Sequence, residues 1–152
     1  MIKQIIEILL ISLMMTACSN IKPYQATHKN NFFVNSKTDN DVKSSIDIYQ
    51  VDKACKYIYK GTVSLEQGKN KIGLKNNEDN YLVVSFTTSS FWASSTSSMS
   101  QDMMIKPDKG YTYKLDLSYL DNIYNIELKK TQPGSNKTIT IDTLSPHRCQ
   151  NK

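Results

Sequence analysis

"YTYKLDLSYLDNIYNIELKKT", Tyr111 to Thr131, is the stretch whose reading decides the fold. Apolar and polar residues alternate on both sides of Asp121-Asn122, the pattern of two half-buried strands joined by a tight turn. Folding the segment about those two residues sets Tyr119 opposite Tyr124, Leu117 opposite Ile126 and Leu115 opposite Leu128 on one face. Ser118 with Asn125 and Lys114 with Lys129 take the other face. A slip by one residue would turn every pair inside out, so the hydrophobic pattern specifies this register strongly. One pair is unfavourable: Asp116 meets Glu127, and the charges near enough to offset the two carboxylates are Lys114 and Lys129.

The same rhythm extends outward. "QPGSN" makes the next turn, and "KTITIDTL" returns with Ile139 and Ile141, which brings Ile141 beside Leu128. Upstream, "SSIDIYQV" alternates Ile46 and Ile48 with Asp47 and Tyr49, and "CKYIYKGTVSL" sets Cys55, Tyr57, Tyr59, Val63 and Leu65 on one face. "KIGLK" is a short strand between the turns "EQGKN" and "NNEDN", while "YLVVSFTT" is apolar on both faces, as a central strand is. Beyond Ser44 no stretch sustains the spacing of a long helix. The expected fold over residues 44–152 is all-β: a single antiparallel β-sandwich of about seven to eight strands, immunoglobulin-like or transthyretin-like, with a small closed barrel as the alternative.

The chain opens differently. Lys3 and the terminal amine precede Ile8 to Met15, apolar apart from Ser12, a run far short of the roughly 20 residues that span a bilayer. Residues 1–17 read as a secretory signal peptide. The residues at its end, "MTAC", resemble the lipobox of bacterial lipoproteins; an ordinary signal followed by an unrelated cysteine is the alternative. The resemblance implies cleavage before Cys18, acylation of its sulfur and amine with palmitate-class chains, and, with Ser19 next, sorting to the outer membrane, periplasm-facing or surface-exposed. Residues 18–43, rich in Asn, Lys and Ser, are then expected to form a lipidated tether. Its exception, Phe32-Phe33-Val34, reads as a strand docking on the domain edge or as a partner-binding motif.

Residues 1–17 carry one Lys and one Glu, so their removal leaves the formal charge of +5 unchanged. That charge suits anionic envelope polymers, and no block of Lys or Arg marks a nucleic-acid face. With Cys18 taken by lipid, Cys55 and Cys149 remain as a pair, and in an oxidising compartment a disulfide is the expectation. Closing so long a loop is worth about 4 to 5 kcal/mol in the chain-entropy model. His147 and Cys149 in "PHRC" supply too few ligands for a metal site. His28 falls in the expected tether and His147 near the C-terminus, neither placed as a general base, and no nucleophile elbow, zinc-protease helix or phosphate loop occurs. No catalytic residue, metal or cofactor is therefore expected.

"TTSSFWASSTSSMSQ", Thr87 to Gln101, interrupts the strand rhythm and reads as a loop. Its Phe91 and Trp92 either cap one end of the sandwich or anchor a partner. "IDIYQVDK" is similar to the first strand of the outer-membrane lipoprotein of type VI secretion systems. "RCQNK" is similar to the C-terminal cysteine region of the periplasmic inhibitors of C-type lysozymes. The function expected is that of a non-enzymatic envelope lipoprotein, a binding or assembly accessory at the outer membrane, held there by its lipid and contacting an envelope protein. The alternative is a periplasmic inhibitor or immunity protein that occludes a hydrolase such as lysozyme, although a net positive charge opposes gripping a basic enzyme.

Overall fold

The computed structural model describes residues 21–89, 96–135 and 137–142. These form nine strands: β1 (Phe32–Thr38), β2 (Val42–Val51), β3 (Tyr57–Leu65), β4 (Gly68–Ile72), β5 (Asp79–Ser89), β6 (Thr96–Ile105), β7 (Thr112–Leu120), β8 (Ile123–Thr131) and β9 (Thr138–Thr140). One sheet has the order β4-β1-β7-β8-β9 and the other β3-β2-β5-β6. The architecture is a two-sheet sandwich, with no helix among the described residues.

The β7–β8 hairpin has the register its alternation dictates: Leu115 pairs with Leu128, Leu117 with Ile126 and Tyr119 with Tyr124. Asp121 and Asn122 have φ of 51° and 62°, the left-handed pair that a two-residue turn between twisted strands requires. The opposed Asp116 and Glu127 are reconciled by lysines. Lys129 Nζ lies 3.1 Å from Asp116 and 2.7 Å from Glu127, and Lys114 lies 2.8 Å from Asp116. β9 continues the meander, and the Ile141 amide donates to the Leu128 carbonyl at 2.9 Å. β5 lies between β2 and β6, an interior strand as its apolar run requires.

The core lies between the sheets. Phe32, Val34, Leu115 and Leu117 face Ile46, Ile48, Leu82, Val84 and Phe86, all buried. Two polar devices interrupt it. The Ser36 and Ser44 hydroxyls meet at 3.0 Å, and the buried Asn31 side chain accepts from the Leu74 amide at 2.8 Å while donating to the Leu74 carbonyl at 2.9 Å.

Three expectations are corrected. The sandwich is not wholly antiparallel: β1 and β7 pair in parallel, Phe32 with Tyr113 through Thr38 with Tyr119, so the five-stranded sheet is mixed. Phe32 to Val34 belongs to β1, which lies between β4 and β7 and not at an edge, so the folded domain begins well before Ser44. Phe32, Val34 and Ser36 are its buried, alternate side chains, and the polar run Asn35 to Thr38 concealed how far the strand extends. Thr87 to Gln101 is no long loop either. β5 runs to Ser89 and β6 starts at Thr96, with those two residues paired. Ser and Thr cannot build a core, but Thr suits a strand backbone, and an edge strand needs only one paired side.

Residues 21–30 strap the two sheets together along the side where β3 and β4 are the edges. The Thr62 amide donates to the Lys22 carbonyl and the Tyr24 amide to the Thr62 carbonyl, each at 2.9 Å. Farther along, the Tyr24 hydroxyl donates to the Gly73 carbonyl at 2.6 Å. Two glycines permit this approach. A Cβ on Gly61 would stand 2.7 Å from Tyr24 Cα, and one on Gly73 would stand 2.9 Å from the His28 carbonyl carbon and closer still to its oxygen.

Candidate functional site

The strap and a bulge together create the most distinctive surface of the molecule. In the β2–β3 ladder Ile48 pairs with Gly61 but Tyr49 pairs with Tyr59, which leaves Lys60 as an extra residue. Gly61 takes φ of 141°, open to glycine and to little else, at the point where the strap presses on β3. An inserted residue reverses the facing of everything before it. Val63 and Leu65 therefore pack against the core, whereas Tyr57 and Tyr59 turn outward and are 39% and 37% exposed. The expectation that Cys55, Tyr57, Tyr59, Val63 and Leu65 share one face is corrected by this single residue.

Outside the sandwich Tyr57 and Tyr59 join Tyr49 of β2 and Tyr81 of β5. Ring centroids are 5.2 Å apart for Tyr49 and Tyr59, 5.7 Å for Tyr49 and Tyr81, and 4.9 Å for Tyr57 and Tyr81. All three pairs are tilted or edge-on, at 51° to 71°, the arrangement that aromatic quadrupoles favour. Val51 and Met104, the cross-strand neighbours of Tyr57 and Tyr81, are 6% and 1% exposed yet stand outside the main core cluster. The rings thus roof a small apolar layer on a sheet face that has no second sheet over it.

Carboxylates edge the cluster. The Tyr81 hydroxyl donates to Asp102 at 3.0 Å, and the Thr62 hydroxyl donates to Asp47. Since the single proton of Thr62 is spent on Asp47, the 2.6 Å contact between Thr62 and the Tyr59 hydroxyl has Tyr59 as donor. Burial, reinforced by Asp102 and by the neighbouring Tyr57 and Tyr49, pushes the Tyr81 phenol up to about 12. Burial, with the Asp47 charge and Tyr59, raises Tyr49 as well. Both phenols stay neutral at physiological pH, so the face presents uncharged rings bordered by acidic groups. A shallow depression of about 390 Å³ lies over it, lined by Ile21, Ser45, Asp47, Tyr49, Tyr59 and Thr62.

The candidates read from the sequence fall elsewhere. Cys55 sits in the β2–β3 turn at φ 60°, where Asp52 accepts from the Ala54 and Lys56 amides at 2.8 and 2.9 Å. Cys149 and Cys18 lie outside the described residues, as do Phe91 and Trp92. Tyr81 lies near the start of β5, which ends at Ser89. The available signal for the face was Gly61 inside the strand pattern "KYIYKGTVSL", since a glycine there marks a bulge or a close backbone approach.

No protein-family model matches the chain, and no curated protein matches it.

Proposed function

We propose that this chain is an outer-membrane lipoprotein, acylated at Cys18 and stapled by a disulfide between Cys55 and Cys149, whose sandwich is a non-enzymatic binding or assembly module. The observation that carries the binding reading is the outward cluster of Tyr49, Tyr57, Tyr59 and Tyr81. Tyrosine gives large contact area at low conformational cost, and aromatic anchors dominate the energetics of protein interfaces. Asp47 and Asp102 beside the rings suit a partner that lays Lys or Arg side chains over them, combining cation–π attraction with charge pairing. The partner is accordingly an envelope protein with a basic contact patch.

The test uses the full chain expressed in its envelope with a clickable fatty acid. Cys18→Ala should lose the label and leave uncleaved precursor; retained label sinks the anchor. Crosslinking in intact cells should join the wild type to one stoichiometric protein. Tyr57→Ala with Tyr59→Ala should remove that adduct while the domain still unfolds cooperatively. If Phe91→Ala with Trp92→Ala removes the adduct and the tyrosine variant keeps it, Phe91 and Trp92 carry the contact and the tyrosine reading fails.

A further inference from the structure

A second concavity lies on the strapped side of the molecule, separate from the tyrosine face. Between its fixed points at Thr62 and Gly73, the strap arches over the ends of β2 and β5 and leaves a cleft of about 560 Å³. Ile48, Pro23 and the Tyr24 ring are the apolar part of its lining. Its polar lining is one-sided: Lys22, Lys60, Lys75 and His28 supply positive or protonatable groups, Gln25, Gln50 and Asn80 supply amides, and no Asp or Glu lines it.

Glu78 pairs with the lining Lys75 at 2.5 Å and accepts from the Gln50 side chain. The lysine hydrogen bond is the largest of the influences on Glu78, and together they hold its carboxyl below the usual range, so it remains an anion committed to Lys75 and Gln50. Lys22 and Lys60 form no ion pair among the described residues. Lys60 is the bulged residue of β3, and the displacement that turns Tyr57 and Tyr59 outward also places its side chain at this cleft. Two uncompensated ammonium groups, amide donors and a backbone strap within one concave site match a compact, multiply charged oxyanion better than a single carboxylate. The lysines act as point charges, and several donors can reach a tetrahedral group from different directions.

We propose that the cleft between the strap and the ends of β2 and β5 binds a phosphate group through Lys22 and Lys60, with Lys75, His28 and the amides of Gln25, Gln50 and Asn80 around it. The phosphate is either a free soluble ion or the headgroup of an anionic lipid. The proposal is independent of the tyrosine face and of the anchor.

The experiment takes the mature chain, with Cys18 replaced by Ala to omit lipid, and follows backbone amide resonances during titration with inorganic phosphate at constant ionic strength set by chloride. Saturable shifts at Lys22, Gln25, Lys60 and Asn80 are expected, and Lys22→Gln with Lys60→Gln should weaken binding about tenfold or more. Lys53→Gln with Lys109→Gln removes the same charge at exposed positions outside the cleft and should leave binding within about twofold. Flotation with phosphatidylglycerol vesicles, against phosphatidylcholine vesicles, separates the sources: cleft-dependent flotation assigns a lipid headgroup, and phosphate shifts without flotation assign a soluble ion. Dispersed spectra of both double variants guard against misfolding, and if the cleft variant alone collapses, Lys60→Gln by itself takes its place. Equal shifts with chloride, shifts spread outside the cleft, or equal weakening by both double variants would overturn the proposal.

Discussion

Gly73→Ala isolates the strap. No positive φ marks Gly73, so alanine meets no backbone strain there and its effect is steric. The added Cβ would lie 2.9 Å from the carbonyl carbon of His28 and closer to its oxygen, so the strap must retreat by about 1 Å to reach ordinary contact distance. Overpacking of this kind costs about 1 to 3 kcal/mol. Release of the strap sets the ceiling. It forfeits the two strap bonds at Thr62 and the Tyr24–Gly73 bond, at about 1 kcal/mol each, and about 1 kcal/mol for the half-buried Tyr24 ring. The freedom the strap regains offsets part of that loss. A destabilisation of about 2 kcal/mol is expected, which for a domain of this size lowers the thermal midpoint by roughly 8 °C. Urea and thermal unfolding of the mature chain measure it, and amide exchange locates it: Thr62, whose amide donates to Lys22, should lose protection before Leu115 at the centre of the other sheet does. A midpoint within about 1 °C of wild type with Thr62 still protected would refute the placement of the strap. Gly61→Ala should be worse, because φ of 141° adds backbone strain to the clash with Tyr24.

Two further outcomes test other parts of the structure. Non-reducing peptide mapping should recover Cys55 joined to Cys149, and replacing both by Ser should cost on the order of 2 to 5 kcal/mol; Cys55 joined to Cys18, or two free thiols, contradicts the pairing. At Asp116 burial by itself would raise the carboxyl, but hydrogen bonds from Lys114, Lys129 and Asn35 together outweigh it and hold the group below its ordinary value. A carboxyl lowered on folding contributes stability above its unfolded value of about 3.9, and that contribution is lost as pH falls through the folded value. Urea midpoints from pH 7 down to pH 2.5 should therefore show Asp116→Asn less stable by about 0.5 to 1 kcal/mol at neutral pH, with the two curves converging in acid. A constant gap across the range would show that the ion pairs contribute nothing.

The C-terminal meander was legible because its strands have their partners close along the chain. The β7–β8 register, the turn at Asp121-Asn122 and the arrival of Ile141 beside Leu128 all follow from alternation and turn residues within about 30 positions. β1 was read as an edge strand, and its interior place was hidden because its apolar content is three residues and its partners β4 and β7 flank it in space but are remote in sequence. The first half of β6 was hidden because an edge strand with one paired side can carry exposed Ser and Thr without any period-two apolar signal. Of the candidate site, the outward aim of Tyr49 followed from its alternation with Ile46 and Ile48. The aim of Tyr57 and Tyr59 did not, because one extra residue at Lys60 inverts them.

By itself, then, the sequence determined an all-β sandwich, its C-terminal meander with the register of each pair, and the interior place of the apolar β5. Local period and turn chemistry suffice for these, since they act between neighbouring segments. The tertiary structure alone decided that β1 enters the middle of a sheet in parallel with β7, that residues 21–30 strap the open side, and that four tyrosines meet on the outer face. Each of those depends on backbone approach between segments far apart in the chain, at Gly61 and Gly73 above all, and a pattern confined to one segment carries no record of what will press against it.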